Sequence, residues 1–137
     1  MKPPLDPVAL GLPHREPFLF VDAVLEWVPG ESALARKVFG SEEAFFRGHF
    51  PGDPLVPGVI LTEALAQTAG LAAGQAGRGF RLTALKSMKF ASAARPNEEI
   101  SLWARKIAVL GGLWQFEVRA TVQERAVAEG VLVLSEV

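Results

Sequence analysis

Residues 58–77, GVILTEALAQTAGLAAGQAG, carry one charge in twenty positions. A helix this apolar around its whole circumference has to be covered on every side. Either a bilayer or the interior of a protein can cover it. The stretch is long enough to span a membrane, and Gly70 and Gly74 spell GxxxG. Much of it, however, is Ala and Gly, which contribute little to insertion, and Glu63, Gln67 and Gln75 are polar. A charge at mid-membrane costs at least about 2.5 kcal/mol, and no strongly charged flank anchors the start of the stretch. The expectation is a buried helix without membrane insertion, whose small residues let strands or a second helix approach closely.

The rest of the chain supplies strands to cover it. The segment up to about Pro17 is rich in Pro and Gly and reads as irregular. Phe18–Val28 (FLFVDAVLEWV) reads as a strand, closed by the Pro29-Gly30 turn signal, and Ser32–Phe39 as its hairpin partner. Ser41 ahead of Glu42 and Glu43 predicts a short helical turn over 41–46 with Ser41 as N-cap. Pro57 is placed as a first helical residue, and the helix should end among the glycines from Gly74 to Gly79. Leu82–Phe90 and Ile100–Leu110 read as strands, the second with broken alternation near Arg105-Lys106 that suggests a bulge. Gly111-Gly112 is a hairpin turn. Trp114, Phe116, Val118, Ala120 and Val122 then alternate with polar residues, the period of a strand with one buried face. Ala126–Leu134 is the last strand. Two strands, one helix and four strands make an α+β domain, with an antiparallel curved sheet wrapped around one long central helix. A chain of 137 residues is expected to be a single domain, 1–137.

Composition narrows the chemistry. Fourteen Lys+Arg against fifteen Asp+Glu, a net charge of -1, argue against a nucleic-acid binder. With no Cys there is no disulfide and no thiolate chemistry. With two His, His14 and His49, a multi-His metal site is not expected, nor is any cofactor. The opening MKPPLDPVALGLPHREPF lacks an apolar core long enough for export, which together with absent Cys fits the cytoplasm.

The loop RGHFPGDPLVPG, residues 47–58, holds three Pro and three Gly. So irregular a segment is costly to specify unless its shape matters. It sets His49 just before the helix. Glu63 follows 14 residues later, about two turns into the helix, as its one charge. Taken alone, His49 could be a loop histidine bonded to backbone. A solvated reading of Glu63 is weaker, because Ile60, Leu61, Ala64, Leu65 and Ala66 surround it. One base and one acid, tuned apart by environment, are what elimination of water needs. The Gly58 N–H at the helix start is free to polarise a carbonyl oxygen, helped by the helix dipole.

GHFPGDPLVPGVILTEALAQ resembles the signature of the 3-hydroxyacyl-acyl-carrier-protein dehydratases of fatty-acid synthesis, which have the hotdog fold. LPHREPFLFVD resembles that family's opening, LKSMKF its post-helix strand and GLWQFEVRATVQERAVAEGVL its last hairpin, so the likeness runs from about Leu12 to Leu134. The resemblance implies that His49 and Glu63 are the catalytic pair and that the Gly58 N–H binds the thioester carbonyl. Phe50 and Val59 would contact the substrate, Phe50 and the apolar helix lining an acyl tunnel. A related branch that also isomerises the double bond has Asp where this chain has Glu63, so the resemblance favours a dehydratase without isomerase activity. It implies acyl carrier protein as partner and a homodimer pairing two sheets side by side. The site would lie across that interface, and three dimers often form a hexamer. His49 would remove a proton from the α-carbon and Glu63 would protonate the departing hydroxyl, although a coupled pair can share these roles. His14 matches the family's LPHR histidine and reads as structural.

The chain departs from the family at Glu16, at Ala91-Ser92 and at Pro96-Asn97-Glu98, the first two of which could alter carrier docking. Between Ala64 and Asn97 there is no acid, while Arg78, Arg81, Lys86, Lys89 and Arg95 are basic. Such a stretch can steer an acidic carrier protein or the phosphates of coenzyme A, or it can be a plain solvated surface. Two other functions share the fold: a further hotdog enzyme such as a CoA-dependent hydratase or a thioesterase, and a non-catalytic acyl-thioester-binding subunit. A thioesterase does not require His49, and an intact His49/Glu63 pair argues against a pure binder.

Overall fold

The apolar stretch forms one helix, α1 (Gly58–Ala73), of 16 residues. At 1.5 Å per residue it is about 24 Å long. Among the described residues no helix is long and apolar enough to cross a membrane. The computed structural model describes residues 2–74 and 79–137. Gln75 and Arg78, weighed above, therefore lie outside the described residues, as does the middle of the expected glycine stop.

Six strands surround α1: β1 (Ala23–Val28), β2 (Ser32–Val38), β3 (Phe80–Phe90), β4 (Glu99–Leu110), β5 (Leu113–Val122) and β6 (Arg125–Glu136). They form one sheet in the order β1-β2-β4-β5-β6-β3, every neighbour antiparallel. The expected two strands, one helix and four strands are all present, and β3 comes to lie at the edge farthest from β1. The alternation in β5 is borne out: Trp114, Phe116, Val118, Ala120 and Val122 are buried against the core. Ala33, Ala35, Ala104, Ala120 and Ala128 are also buried, and these small residues let the helix settle close to the sheet. Its own buried face is Leu61, Ala64, Leu65, Thr68, Leu71 and Ala72. Two buried hydroxyls are satisfied by carbonyls one turn back, Thr62 by Gly58 and Thr68 by Ala64. The β4 bulge falls between Lys106 and Ala108, close to its expected place.

The end of α1 is held by the first hairpin. The Trp27 indole donates to Leu71 O at 2.8 Å and Gly30 N–H to Ala72 O at 2.9 Å, covering carbonyls that a helix end leaves orphaned. Gly74 caps the helix at φ 65. A side chain there would collide with the Pro29-Gly30 turn, its Cβ coming within 2.6 Å of Gly30 N.

Three expectations are corrected. The first strand begins at Ala23, not Phe18. Phe20 N–H and Phe18 C=O are taken by the side chain of Gln67 rather than by a neighbouring strand. The helical turn is a 3-10 turn over Ala44–Arg47 with Glu43 at its N-cap and no side-chain cap, so Ser41 does not start it. Pro57 is the N-cap of α1, outside the helix, and its carbonyl accepts from Ile60 and Leu61. In the Pro96-Asn97-Glu98 turn, Asn97 takes φ 67, a left-handed conformation that Asn tolerates where Gly is usual.

Candidate active site

Two clusters arise from the expected residues. The first is built by the Pro/Gly loop, which is ordered by its own backbone. Leu55 N–H donates to His49 O at 2.8 Å, and Phe50 and Asp53 exchange N–H···O bonds at 2.9 Å each. The His49 ring lies stacked on Phe50, centroids 4.1 Å apart, with Nδ1 3.2 Å from Leu55 O. If Nδ1 carries the hydrogen and donates to that carbonyl, Nε2 is left as the base. Gly58 opens α1 nearby in sequence, and its N–H has no acceptor inside the helix. Its lack of a side chain admits the Phe90 ring, which would stand 3.1 Å from any Cβ at that position. Phe50 and Phe90 are both about half exposed.

The second cluster lies on one stripe of α1, at the three- and four-residue spacings that share a helix face. Val59, at 78% the most exposed residue of the helix, begins it. Glu63, Ala66, Gln67, Gly70 and Gly74 continue it, and from Glu63 onward they line a cavity of about 330 Å³. Leu10, Leu12 and His14 close the cavity from the N-terminal segment, and Phe80, Leu82 and Leu134 from the sheet. Nothing stands within 4 Å of where a Gly70 Cβ would be, so the missing side chain there is open space.

Glu63 is neither a solvated helix position nor a fully buried acid; its side chain is 21% exposed. Gln67 Nε2 donates to Glu63 Oε2 at 3.0 Å. The same amide donates to Phe18 O at 3.0 Å, and Gln67 Oε1 accepts from Phe20 N–H at 2.9 Å. Gln67 is 1% exposed and fully engaged. Gln67→Leu should therefore strand two backbone groups and a carboxylate oxygen, at about 1–3 kcal/mol for each buried group. The expected result is a melting point lowered by roughly 10 °C; a Leu variant as stable as the parent would refute the clamp.

His14, read from the sequence as structural, is brought to the Glu63 carboxylate. Its Nε2 lies 3.5 Å from Glu63 Oε2, inside the cavity wall. Gln67 appeared above only as a polar residue against membrane insertion, yet its place four residues after Glu63 is the spacing of a helix-face pair. His49 and Glu63, by contrast, are not joined by any hydrogen bond or ion pair within the protomer among the described residues.

The basic stretch is also altered by the fold. Arg95 is engaged by Asp53 at 2.8 Å, leaving Arg81, Lys86 and Lys89 along the exposed β3. Ser92 is bound by Arg125 of β6, whose guanidinium also reaches Ala93 O and Glu98.

A family model for the FabA-like domain matches residues 12–131. The chain is 39% identical over 127 residues to the 3-hydroxyacyl-[acyl-carrier-protein] dehydratase FabZ of Nitratidesulfovibrio vulgaris, covering 88% of this chain and 82% of that one. It is 41% identical over 123 residues to the enzyme of the same description from Acetivibrio thermocellus, covering 87% and 84%. Among solved structures, the dehydratase heterocomplex ApeI:P from Xenorhabdus doucetiae matches at TM-score 0.80 and 15% identity, over 100% of this chain and 93% of that one. A hypothetical thioesterase protein with coenzyme A from Streptococcus pneumoniae matches at TM-score 0.66 and 12% identity, over 83% and 84%. The architecture is the hotdog fold, and this pair of neighbours illustrates that the fold alone does not choose an activity.

Proposed function

Because the chain belongs to the family of FabA-like domains and 3-hydroxyacyl-[acyl-carrier-protein] dehydratases, we propose that it eliminates water from a 3-hydroxyacyl thioester to give the trans-2-enoyl thioester. The observation that carries this reading is the Glu63 carboxylate, braced by Gln67, at the wall of a cavity otherwise lined largely by apolar side chains. Acyl carbons fit such a lining, and one carboxylate beside them fits a proton transfer.

In this mechanism the thioester carbonyl rests on the Gly58 N–H. His49 Nε2 takes a proton from the α-carbon, and the electron pair moves into the carbonyl to give an enolate that Gly58 and the helix dipole stabilise. The enolate reforms the carbonyl, the double bond forms between the α- and β-carbons, and the β-hydroxyl leaves with a proton from Glu63. The proton taken up by His49 returns through solvent to Glu63, so water is the only by-product, and no redox step is involved. Hydration of the enoyl thioester retraces the same path.

His49 and Glu63 of one protomer occupy separate clusters, which supports a site assembled by two. β3 is eleven residues long and its outer edge pairs with no strand among the described residues, with Leu82, Leu85 and Phe90 exposed. A bare edge of that length invites pairing with a second strand, and a two-fold pairing there would make one continuous sheet. Arg81, Lys86 and Lys89 would flank it as the surface that attracts an acidic carrier protein.

The test is hydration of a 2-enoyl thioester, offered on acyl carrier protein and on coenzyme A and followed by loss of enoyl absorbance. Turnover that falls by about 10²–10⁴-fold in Glu63→Gln supports the dehydratase. Binding without turnover, or release of free thiol, overturns it in favour of a binding subunit or a thioesterase.

A further inference from the structure

We propose that His14 is a positioning residue for Glu63, aiming the carboxylate by pairing with one of its two oxygens. The inference rests on the reading of Glu63 as a catalytic group. Two nitrogens converge on Glu63 Oε2: the Gln67 amide donates to it at 3.0 Å, and His14 Nε2 lies 3.5 Å away. Oε1 has no protein partner among the described residues. A carboxylate bound through one oxygen by donors from two different segments is fixed in rotation, and its second oxygen is left to face the substrate.

The segment that carries His14 is built to hold it still. Arg15 Nη1 donates to Leu12 O and to His14 O, both at 2.8 Å, and Phe18 N–H donates to Arg15 O at 2.8 Å. These bonds lock the backbone on either side of the imidazole. Gln67 then ties Phe18 and Phe20 to the helix, so the strap and the carboxylate share one anchor. The ring itself has a preferred tautomer. His14 Nδ1 is buried and has no hydrogen-bond partner among the described residues. With the hydrogen on Nε2, the ring donates to Glu63 and buries only a lone pair. With the hydrogen on Nδ1, it would bury an unmet donor and turn a lone pair toward a carboxylate. The first arrangement is the one the contacts favour, and it makes His14 a donor to Glu63. A purely structural role would instead rest on packing, the Phe18 ring lying 6.4 Å away.

Three variants of the full chain separate these roles. His14→Gln keeps an amide donor where Nε2 stood, His14→Asn places it where Nδ1 stood, and His14→Phe keeps the packing alone. For hydration of a 2-enoyl thioester, His14→Phe and His14→Asn should lose kcat by about tenfold to 10²-fold, the effect of a slightly misplaced catalytic group. KM should stay within about twofold and His14→Gln within about threefold of wild-type kcat, because only the transition-state geometry is touched. Full kcat in His14→Phe, or losses that track melting temperature across all three variants, would overturn the proposal. Nitrogen-15 NMR of the wild-type ring provides a readout independent of turnover. An Nε2–H tautomer is expected, and an Nδ1–H tautomer also overturns the pairing. A wild-type chain that hydrates no thioester but shows the Nε2–H tautomer would sink the dehydratase reading and leave the His14–Glu63 pairing standing.

Discussion

Co-expressed, the His49→Ala and Glu63→Gln chains should recover about a quarter of wild-type turnover, although each alone loses about 10²–10⁴-fold. The expectation follows from the two separate clusters. His49 stacks on Phe50 at one surface of the protomer, while Glu63 lies on the cavity with His14 and Gln67. If a site takes His49 from one protomer and Glu63 from another, each homodimer of a single variant has two broken sites. A mixed dimer has one site with both groups intact and one with neither. Random pairing makes half the dimers mixed, hence about one intact site in four. Affinity tags of two kinds on the two chains would isolate the mixed dimers, in which half the sites should be active. Isolated mixed dimers with no more activity than the parents would mean that each protomer builds its own site.

Gly130→Val is expected to destabilise the protein strongly. Gly130 lies in β6 opposite Met88 of β3 and Val118 of β5. A Cβ at that position would overlap the Ser87 carbonyl and crowd the Met88 sulfur, which would stand 2.5 Å away. The first of these is backbone and cannot swing aside. The β3–β6 register also shifts just beside this contact, between Leu85 and Ser87. A valine must therefore push β3 off β6, at a cost of about 3 kcal/mol, or roughly 10 °C in melting temperature. Displacing β3 also displaces the proposed pairing edge, so sedimentation should show the proposed dimer giving way to monomer. A Val variant that melts with the parent would show that β3 can retreat at no cost.

The sequence was most informative where one local pattern decided the outcome. The strict alternation of β5 has a single way to be buried, and the polar Glu63 and Gln67 in the apolar run at α1 pointed to a protein interior rather than a bilayer; both were legible. The first strand was misread from Phe18 because FLF has strand-like residues but no ladder to a neighbouring strand; Gln67, distant in sequence, supplies backbone partners to Phe18 and Phe20 instead. The Ser41 cap failed for a related reason. A capping pattern specifies a helix start only if the following residues go on as a helix, and here Glu43 is extended at ψ 129. Long-range pairings such as Arg95 with Asp53 and His14 with Glu63 leave no trace in local spacing. The Glu63–Gln67 pair was within reach of the helix period alone, and its second role, holding the N-terminal strap, was not.

The Gln67 clamp also bears on the order of events in time. Its bonds to Phe20 and Phe18 span 47 and 49 positions. A ribosome delivers the strap first and the helix much later, and closing so large a loop is entropically slow. The strap is thus made before the helix that fixes it, and it stays untied until Gln67 follows. A nascent or truncated chain that lacks either partner carries a carboxylate that is present but unaimed.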